Sequence, residues 1–246
     1  VTGAATGIGR AVAYRFAEAG ASLDLVDIDG EGLQRVTDEL APFAVDVACH
    51  TVDLCEKAAI DALWEALEGT TPEILVNNAG IYPFKGFLDT DAALLDQVLQ
   101  INLTSVFWMC QHMIRRRLTV GGVIINIGSI EAVLPFKADL AHYALSKAGV
   151  MAFTRTLARE YGARGFRVNA LVPGGILTQG VKNTAKDILR LNFGLIKSGL
   201  DFRSRLPLRR FGRPDEVALM TLVLASDLSS YVQGALIPVD GGFLST

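Results

Sequence analysis

The sequence predicts an α/β fold, a doubly wound parallel sheet with helices on both faces. It is expected to form a single domain over residues 1–246, with a helical substrate lid at about 179–213. Three observations lead there. Short apolar runs alternate with segments of helical period along the whole chain. Half of the residues are hydrophobic, as a sheet covered on both faces requires. A glycine-rich turn opens the first helix, and no Pro/Gly/Ser-rich linker or internal repeat divides the rest of the chain.

Taken in order, residues 9–19 read as a helix stopped by Gly20, and 23–26 as a short strand. A helix over 30–40 leads to a strand at 47–52 that ends on Asp53. Helical periodicity at 57–67 precedes a buried strand at 74–76 and the turn Asn77-Asn-Ala-Gly80. One long helix is expected over 91–116, then an apolar strand at 123–127. A helix at 141–161, a strand at 168–171, a helix at 214–225 and a strand at 236–239 complete the pattern. Val1 reads as the last residue of a strand, so most of a first strand, and any leader, is expected to precede it.

The formal charge of −3 and the lack of a basic run argue against nucleic-acid or anionic-membrane partners. Apolar runs such as 106–110 are far too short to span a bilayer. Cys49, Cys55 and Cys110 show no Cys-x-x-Cys spacing and read as buried free thiols of a reducing, cytoplasmic compartment. No metal site is expected.

Ligands of such folds sit beyond the carboxyl ends of the strands, where nearly every candidate residue falls. Gly3, Gly7 and Gly9 occupy a strand-to-helix turn, where glycine lets backbone approach a pyrophosphate and the helix N-terminus supplies donors. Their spacing is not the usual dinucleotide fingerprint, and a plain tight turn would look alike. Asp27, eighteen residues after Gly9, can accept from ribose hydroxyls and would repel a 2′-phosphate. Neither Thr6 nor residues 26–28 supply a cation, so NAD is favoured over NADP. Asp29 belongs to a solvated turn. Asp53 can accept from an adenine amino group or cap a helix. Asn77 to Gly80 form either an Asn/Gly turn or a small-residue floor beneath an adenosine, with amides tying strand ends together.

Tyr143 and Lys147 lie four apart on a helix and share a face. A free phenol, with a pKa near ~10, is a poor proton carrier at neutral pH, and a neighbouring ammonium favours the phenolate. Taken alone, such a pair is usually an amphipathic helix edge. Ser129, fourteen residues before the tyrosine, places a hydroxyl that can hold a substrate oxygen.

Together with Thr2-Gly-Ala-Ala-Thr-Gly-Ile-Gly9, Asp53, Asn77-Asn-Ala-Gly80, Asn102, Pro173-Gly174 with Thr178, and Val239-Asp-Gly-Gly242, these residues carry a resemblance. The chain resembles the short-chain dehydrogenase/reductase family over essentially its whole length. The resemblance implies a Rossmann-like fold and an NAD(H)-dependent oxidoreductase interconverting a secondary alcohol and a ketone. It implies Tyr143 as general acid/base, Ser129 as carbonyl orienter and Lys147 as pKa tuner and ribose ligand. Asn102 would hold a water linking Lys147 to solvent. The implied cofactor contacts are Gly3, Thr6, Gly7, Ile8, Gly9, Asp27, Asp53, Leu54, Asn78, Ala79, Gly80, Tyr143, Lys147, Pro173, Gly174, Ile176 and Thr178, the last four wrapping the nicotinamide end. Similar enzymes place the serine thirteen residues before the tyrosine; the loop 131–140 absorbs the extra residue here.

The substrate is expected to be a small alcohol or ketone. Between Thr178 and Arg213, Ile188, Leu189, Leu191, Phe193, Leu195, Ile196, Leu200 and Phe202 alternate with Lys182, Lys186, Arg190 and Lys197. This pattern fits a flap packing its apolar side on the body, or an apolar pocket with a basic mouth suited to an acyl-thioester. A sugar needs more polar groups than the sequence places, although Ile130-Glu131 and Pro135 resemble polyol-oxidising members. Two other functions compete: a nicotinamide-binding sensor or scaffold without catalysis, and a methyltransferase, which gives no role to the Tyr/Lys pair. The resemblance also implies a homotetramer or homodimer, with Trp108, Met109, Phe153 and residues 242–246 as candidate contacts.

Overall fold

The computed structural model describes residues 1–178 and 202–245. Among the described residues, six parallel strands form the sheet: β1 (Leu23–Asp27), β2 (Val47–Thr51), β3 (Ile74–Asn77), β4 (Gly122–Ile127), β5 (Phe166–Pro173) and β6 (Leu236–Val239). β1 pairs with β2, and β3 to β6 pair in sequence order. The N-terminal residues join the two groups. Thr2 bridges Val26 in parallel and its N–H donates to the Val76 carbonyl at 3.0 Å. The chain thus runs outward through β1 and β2, then returns to build the other half. The order reverses between residues 1–2 and β3, and such reversals open a crevice at the strand ends.

Among the described residues, seven α-helices cover the faces: α1 (Gly7–Glu18), α2 (Gly30–Leu40), α3 (Lys57–Ala66), α4 (Ala92–Leu99), α5 (Ser105–Arg116), α6 (Ala141–Tyr161) and α7 (Pro214–Ala225). Their ends follow local chemistry. Asp29 caps α2 by accepting from Gly32 N at 2.9 Å, and Asp91 caps α4 by accepting from Leu94 N at 2.9 Å. α7 starts with Pro214, and Glu216 reaches back to Arg213 N at 2.8 Å. Gly20, at φ 83°, ends α1.

Val12, Phe16, Leu25, Leu33 and Val217 form the core between α1, α2, α7 and the sheet. Trp64, Met113, Ile124, Val150 and Phe166 form the core on the opposite face. Arg15 fastens α1 to α7 through Asp215, with Nη2 2.8 Å from Oδ2. A third, aromatic cluster of Phe136, Phe202 and Phe243 sits near the carboxyl edge.

Three expectations need correction. The helix expected over 91–116 is broken by a π-helical segment, Gln100–Thr104. Asn102 lies there, fully buried, and its amide is drawn to Ile81 and Ser146. Second, the cysteines are not uniformly buried: Cys110 is, but Cys49 is exposed on the edge strand β2. Third, of the residues read as either assembly contacts or intramolecular core, Met109 and Phe243 are core, and Phe107, not among them, is exposed and stacks on Phe153. Of the expected lid, residues 179–201 lie outside the described residues, with Lys182, Lys186, Ile188, Leu189, Arg190, Leu191, Phe193, Leu195, Ile196, Lys197 and Leu200; so does Thr246. Phe202 is buried against Phe136 and Phe211. Among the described residues, no helix is long and apolar enough to cross a membrane.

Candidate active site

The crevice is built first by glycine. Gly3 and Gly7 have φ of 63° and 58°, a region closed to most side chains. A Cβ on Gly9 would stand 2.0 Å from the Gly3 carbonyl oxygen, so no side chain fits there. Thr6 caps α1 without a side-chain hydrogen bond, and the first turn carries no acid, which leaves its amides free to receive an anion. The Thr178 methyl lies 3.3 Å from where a Gly7 Cβ would be, roofing the turn. Ile8 is half-buried against the α1–α7 core.

Asp27 ends β1 with its carboxylate fixed: Oδ2 accepts from Ala5 N at 2.9 Å and Oδ1 from Asp29 N at 3.1 Å. Each oxygen keeps a lone pair for a ribose hydroxyl. Asp29 is spent on capping α2 and on Arg35, 3.3 Å away. Asp53 is exposed and accepts from Cys55 N at 2.9 Å, a local turn, while the Leu54 side chain enters the core.

The floor is a chain of amides. Asn78 Nδ2 donates to the Thr2 and Gly3 carbonyls at 2.9 and 3.1 Å, and Ala79 N donates to Thr2 Oγ1 at 3.0 Å. Asn77 Nδ2 donates to Asn126 Oδ1 at 2.9 Å, and Asn126 donates to Thr154 Oγ1 at 2.9 Å. Strand ends and α6 are thereby held as one unit. A Cβ on Gly80 would come within 3.1 Å of Asn102 Oδ1 and 3.4 Å of Lys147 Nζ, so the bare glycine leaves those groups their space. Glycines that admit no Cβ, uncapped helix amides and a fixed carboxylate at the switch point together suit a dinucleotide. At the far end, Gly174 N donates to the Val239 carbonyl at 3.1 Å and Ile176 bridges Gly212, which ties the segment after Pro173 to β6 and to the approach to α7.

Ser129, Tyr143 and Lys147 meet beyond β4. Ser129 is buried, and its hydroxyl lies close enough to the Tyr143 phenol to favour the ionised form. Lys147 Nζ donates to the Ile127 carbonyl at 2.8 Å and lies 6.0 Å from the Tyr143 ring centre. The protein's own field acts differently from the simple expectation of an acidified phenol. Desolvation pushes Tyr143 up to about 12; the Ser129 bond pulls it down, and Tyr82 and Glu131 push it further up. Burial lowers Lys147 to about 8. Desolvation prevails at Lys147, which is buried and engaged by a carbonyl, and also at the half-buried Tyr143 beside it. Asn102 also differs in detail. Its Oδ1 accepts from Ile81 N at 2.8 Å, and its Nδ2 donates to Ile81 O at 2.8 Å and Ser146 Oγ at 3.1 Å. The side chain pins residue 81 to α6, with both amide hydrogens engaged and one bond accepted at Oδ1.

Tyr82 and His142 escaped sequence reasoning as parts of the site, and Glu131 entered it only through a resemblance. Tyr82 packs its ring 6.0 Å from that of Tyr143. His142 Nε2 donates to the Pro83 carbonyl at 2.8 Å, leaving a buried Nδ1 without a partner among the described residues. Glu131, two residues after Ser129, is buried with its carboxyl raised by desolvation. Only the neighbourhood of Ser129 and Tyr143 could have flagged them.

A family model described as enoyl-(acyl carrier protein) reductase matches residues 3–244. Galactitol 2-dehydrogenase (L-tagatose-forming) of Cereibacter sphaeroides is 38% identical over 99% of this chain and 93% of its own length. A 3-oxoacyl-acyl-carrier-protein reductase of Aquifex aeolicus is 35% identical over 98% of this chain and 95% of its own. Among solved structures, one from Beutenbergia cavernae with NADP bound at low occupancy superposes with a TM-score of 0.91. It is 31% identical over 100% of this chain and 96% of its own. Matched from glycine turn to C-terminal strand, the chain belongs to the short-chain dehydrogenase/reductase family of nicotinamide-dependent oxidoreductases acting on alcohol and keto groups.

Proposed function

We propose that this enzyme interconverts a secondary alcohol and a ketone with NAD(H), using Tyr143 as general acid/base. The observation that carries the reading is the convergence of the Ser129 hydroxyl, Tyr143 phenol and Lys147 ammonium beside the glycine crevice. Nicotinamide, when bound, takes or gives the hydride and in its oxidised form adds a positive charge. The chain's residues do the rest. Gly3, Gly7, Gly9 and the α1 amides hold the pyrophosphate, Asp27 the adenosine ribose, and residues 173–178 flank the nicotinamide. Ser129 holds the substrate oxygen against Tyr143, which removes its proton in oxidation and returns one in reduction.

The pH dependence has a definite sign. Desolvation holds the phenol protonated, at about 12 in the protein alone. Oxidation needs the phenolate, so its kcat/KM rises with pH from neutrality, by about tenfold per pH unit until the phenol titrates in the complex. Reduction uses the phenol and shows no such rise. Stopped-flow or steady-state profiles in both directions check this; a flat oxidative profile from pH 6 to 10 would count against Tyr143 as the base.

For the cofactor, Asp27 supports NAD over NADP. Its carboxylate is fixed by Ala5 N and Asp29 N, and Arg35 is engaged by Asp29. A 2′-phosphate would meet the negative charge of Asp27 and, of the described residues, an Arg35 already paired with Asp29. NADH is expected to bind at least tenfold more tightly than NADPH, roughly the effect of 1.4 kcal/mol, with Asp27→Ser narrowing the gap. Fluorescence titration of both reduced cofactors decides it, and equal affinities would reverse the assignment. Assembly as a homotetramer or homodimer is supported by Phe107 and Leu145, exposed on α5 and α6. Sedimentation at micromolar concentration tests that; a monomer would defeat it. The free thiols suit a reducing compartment such as the cytoplasm.

A further inference from the structure

Beside Tyr143 stands a row of aromatic rings that the proton and hydride chemistry does not use. Tyr82 sets its ring 6.0 Å from the Tyr143 ring at an interplanar angle of 64°, and the Phe84 ring follows 6.3 Å from that of Tyr82, at 84°. Both contacts are edge-to-face, the arrangement that ring quadrupoles favour. Lys137 Nζ lies over the Phe84 ring, 4.0 Å from its centre, and steadies the outer end of the row.

The backbone behind these rings is pinned on both sides of Tyr82. Asn102, in the π segment, bonds the N–H and the carbonyl of Ile81, each at 2.8 Å. His142, the neighbour of Tyr143 on α6, donates from Nε2 to the Pro83 carbonyl at 2.8 Å. Lys85 N donates to the Asp139 carbonyl at 3.0 Å, which joins this segment to the loop between Ser129 and Tyr143. The helix turn that presents Tyr143 therefore also fixes the ring beside it. Tyr82 is only half-buried, so part of that fixed ring stays open next to the reacting phenol.

The joined loops offer hydrocarbon rather than polar groups. Phe84, Val133 and Leu134 are exposed, while Glu131 spends its carboxylate inside its own loop, accepting from Phe136 N at 3.1 Å. Apolar side chains left uncovered around a reacting group make room for an apolar part of a ligand. A polyol would press hydroxyls against ring faces that cannot bond them. A flexible acyl chain would lose rotamer freedom on ordering and gain no ring–ring term. A rigid ring avoids both costs.

We propose that Tyr82 is a specificity-determining residue whose ring packs against a second ring, aromatic or alicyclic, carried on the reacting carbon of the substrate. The inference rests on the redox reading and names its substrate class: an aryl or cycloalkyl carbinol, or the matching ketone.

NAD⁺-dependent oxidation of 1-phenylethanol and 1-cyclohexylethanol, compared with that of 2-octanol, xylitol and 2-propanol, tests this in wild type, Tyr82→Phe and Tyr82→Ser. Wild type is expected to prefer a ring-bearing alcohol to both 2-octanol and xylitol. In Tyr82→Ser the kcat/KM for that alcohol relative to 2-propanol falls by about tenfold, the upper end of what an aromatic pair contributes. Tyr82→Phe keeps the ring, holds the ratio and guards against misfolding. A parallel loss on both alcohols in Tyr82→Ser, with the ratio held, would mean that Tyr82 only supports Tyr143 or the fold, and would overturn the proposal. An equal fall of the ratio in Tyr82→Phe would assign the contact to the hydroxyl and overturn it too. So would a wild type that prefers xylitol or 2-octanol, which leaves the redox reading standing. Turnover of none of the five alcohols, with NADH still bound, would sink the redox reading and this inference with it.

Discussion

Tyr143→Phe is expected to lower turnover by about 10²- to 10⁴-fold, the range that a positioned acid/base contributes, while NADH affinity stays nearly intact. The substitution removes one oxygen and keeps the ring that packs against Tyr82 at 6.0 Å. Tyr143 is half-buried and phenylalanine fits the same space, so the loss cannot be laid to unfolding if the melting temperature holds. The separation of effects is the informative part. Pyrophosphate and adenosine are assigned to Gly3, Gly7, Gly9 and Asp27, which sit on other strand ends, whereas the proton is assigned to the phenol alone. Turnover close to wild type would refute Tyr143 as the proton carrier. A parallel loss of NADH binding would move its role from proton transfer to holding the cofactor.

The sheet and most helices were legible because their signals are local. The helices at 30–40, 141–161 and 214–225 and the strand at 236–239 stand where the pattern puts them, since caps such as Asp29 and Pro214 mark their ends in the sequence itself. The π segment at Gln100–Thr104 was not legible. Apolar residues continue through it, and the distortion answers to Ile81, twenty-one positions away, whose N–H and carbonyl both bond Asn102. The site divides in the same manner. Glycine turns and strand-end carboxylates announce themselves by type and spacing. The polar groups around Tyr143 do not, because Tyr82, Glu131 and His142 come from three segments and acquire meaning only when β4, α6 and residues 78–84 are brought together. The sign of the Tyr143 shift was also out of reach: spacing shows that Lys147 is near, but only the fold shows how far both groups are removed from water.

That removal from water leads to the second large effect. Lys147→Met is expected to abolish most activity and yet raise stability at neutral pH. The ammonium is 4% exposed, and burial lowers its pKa from 10.5 to about 8. Below pH 8 both the folded and unfolded chains carry the charge, and the folded state bears a penalty of roughly 3 kcal/mol for it. Methionine fills similar volume without the charge but leaves the Ile127 carbonyl, now bonded at 2.8 Å, without its donor, returning about 1 kcal/mol of the gain. The net of about 2 kcal/mol corresponds to a melting temperature higher by roughly 4–8 °C in a chain of this size. The sign of the pH dependence distinguishes this cause from better packing. As pH rises from about 8 to 10.5, the wild type folds with a neutral lysine while its unfolded chain remains charged, so wild-type stability climbs and the advantage of methionine shrinks. Thermal melts of both proteins at pH 6.5 and pH 9.5 should therefore converge at the higher pH. A variant that melts below wild type at pH 6.5, or keeps a constant advantage at both, would show that the buried charge is not the penalty argued here. The expected outcome makes Lys147 a residue retained against the interest of stability, which is how a group kept for chemistry differs from one kept for packing.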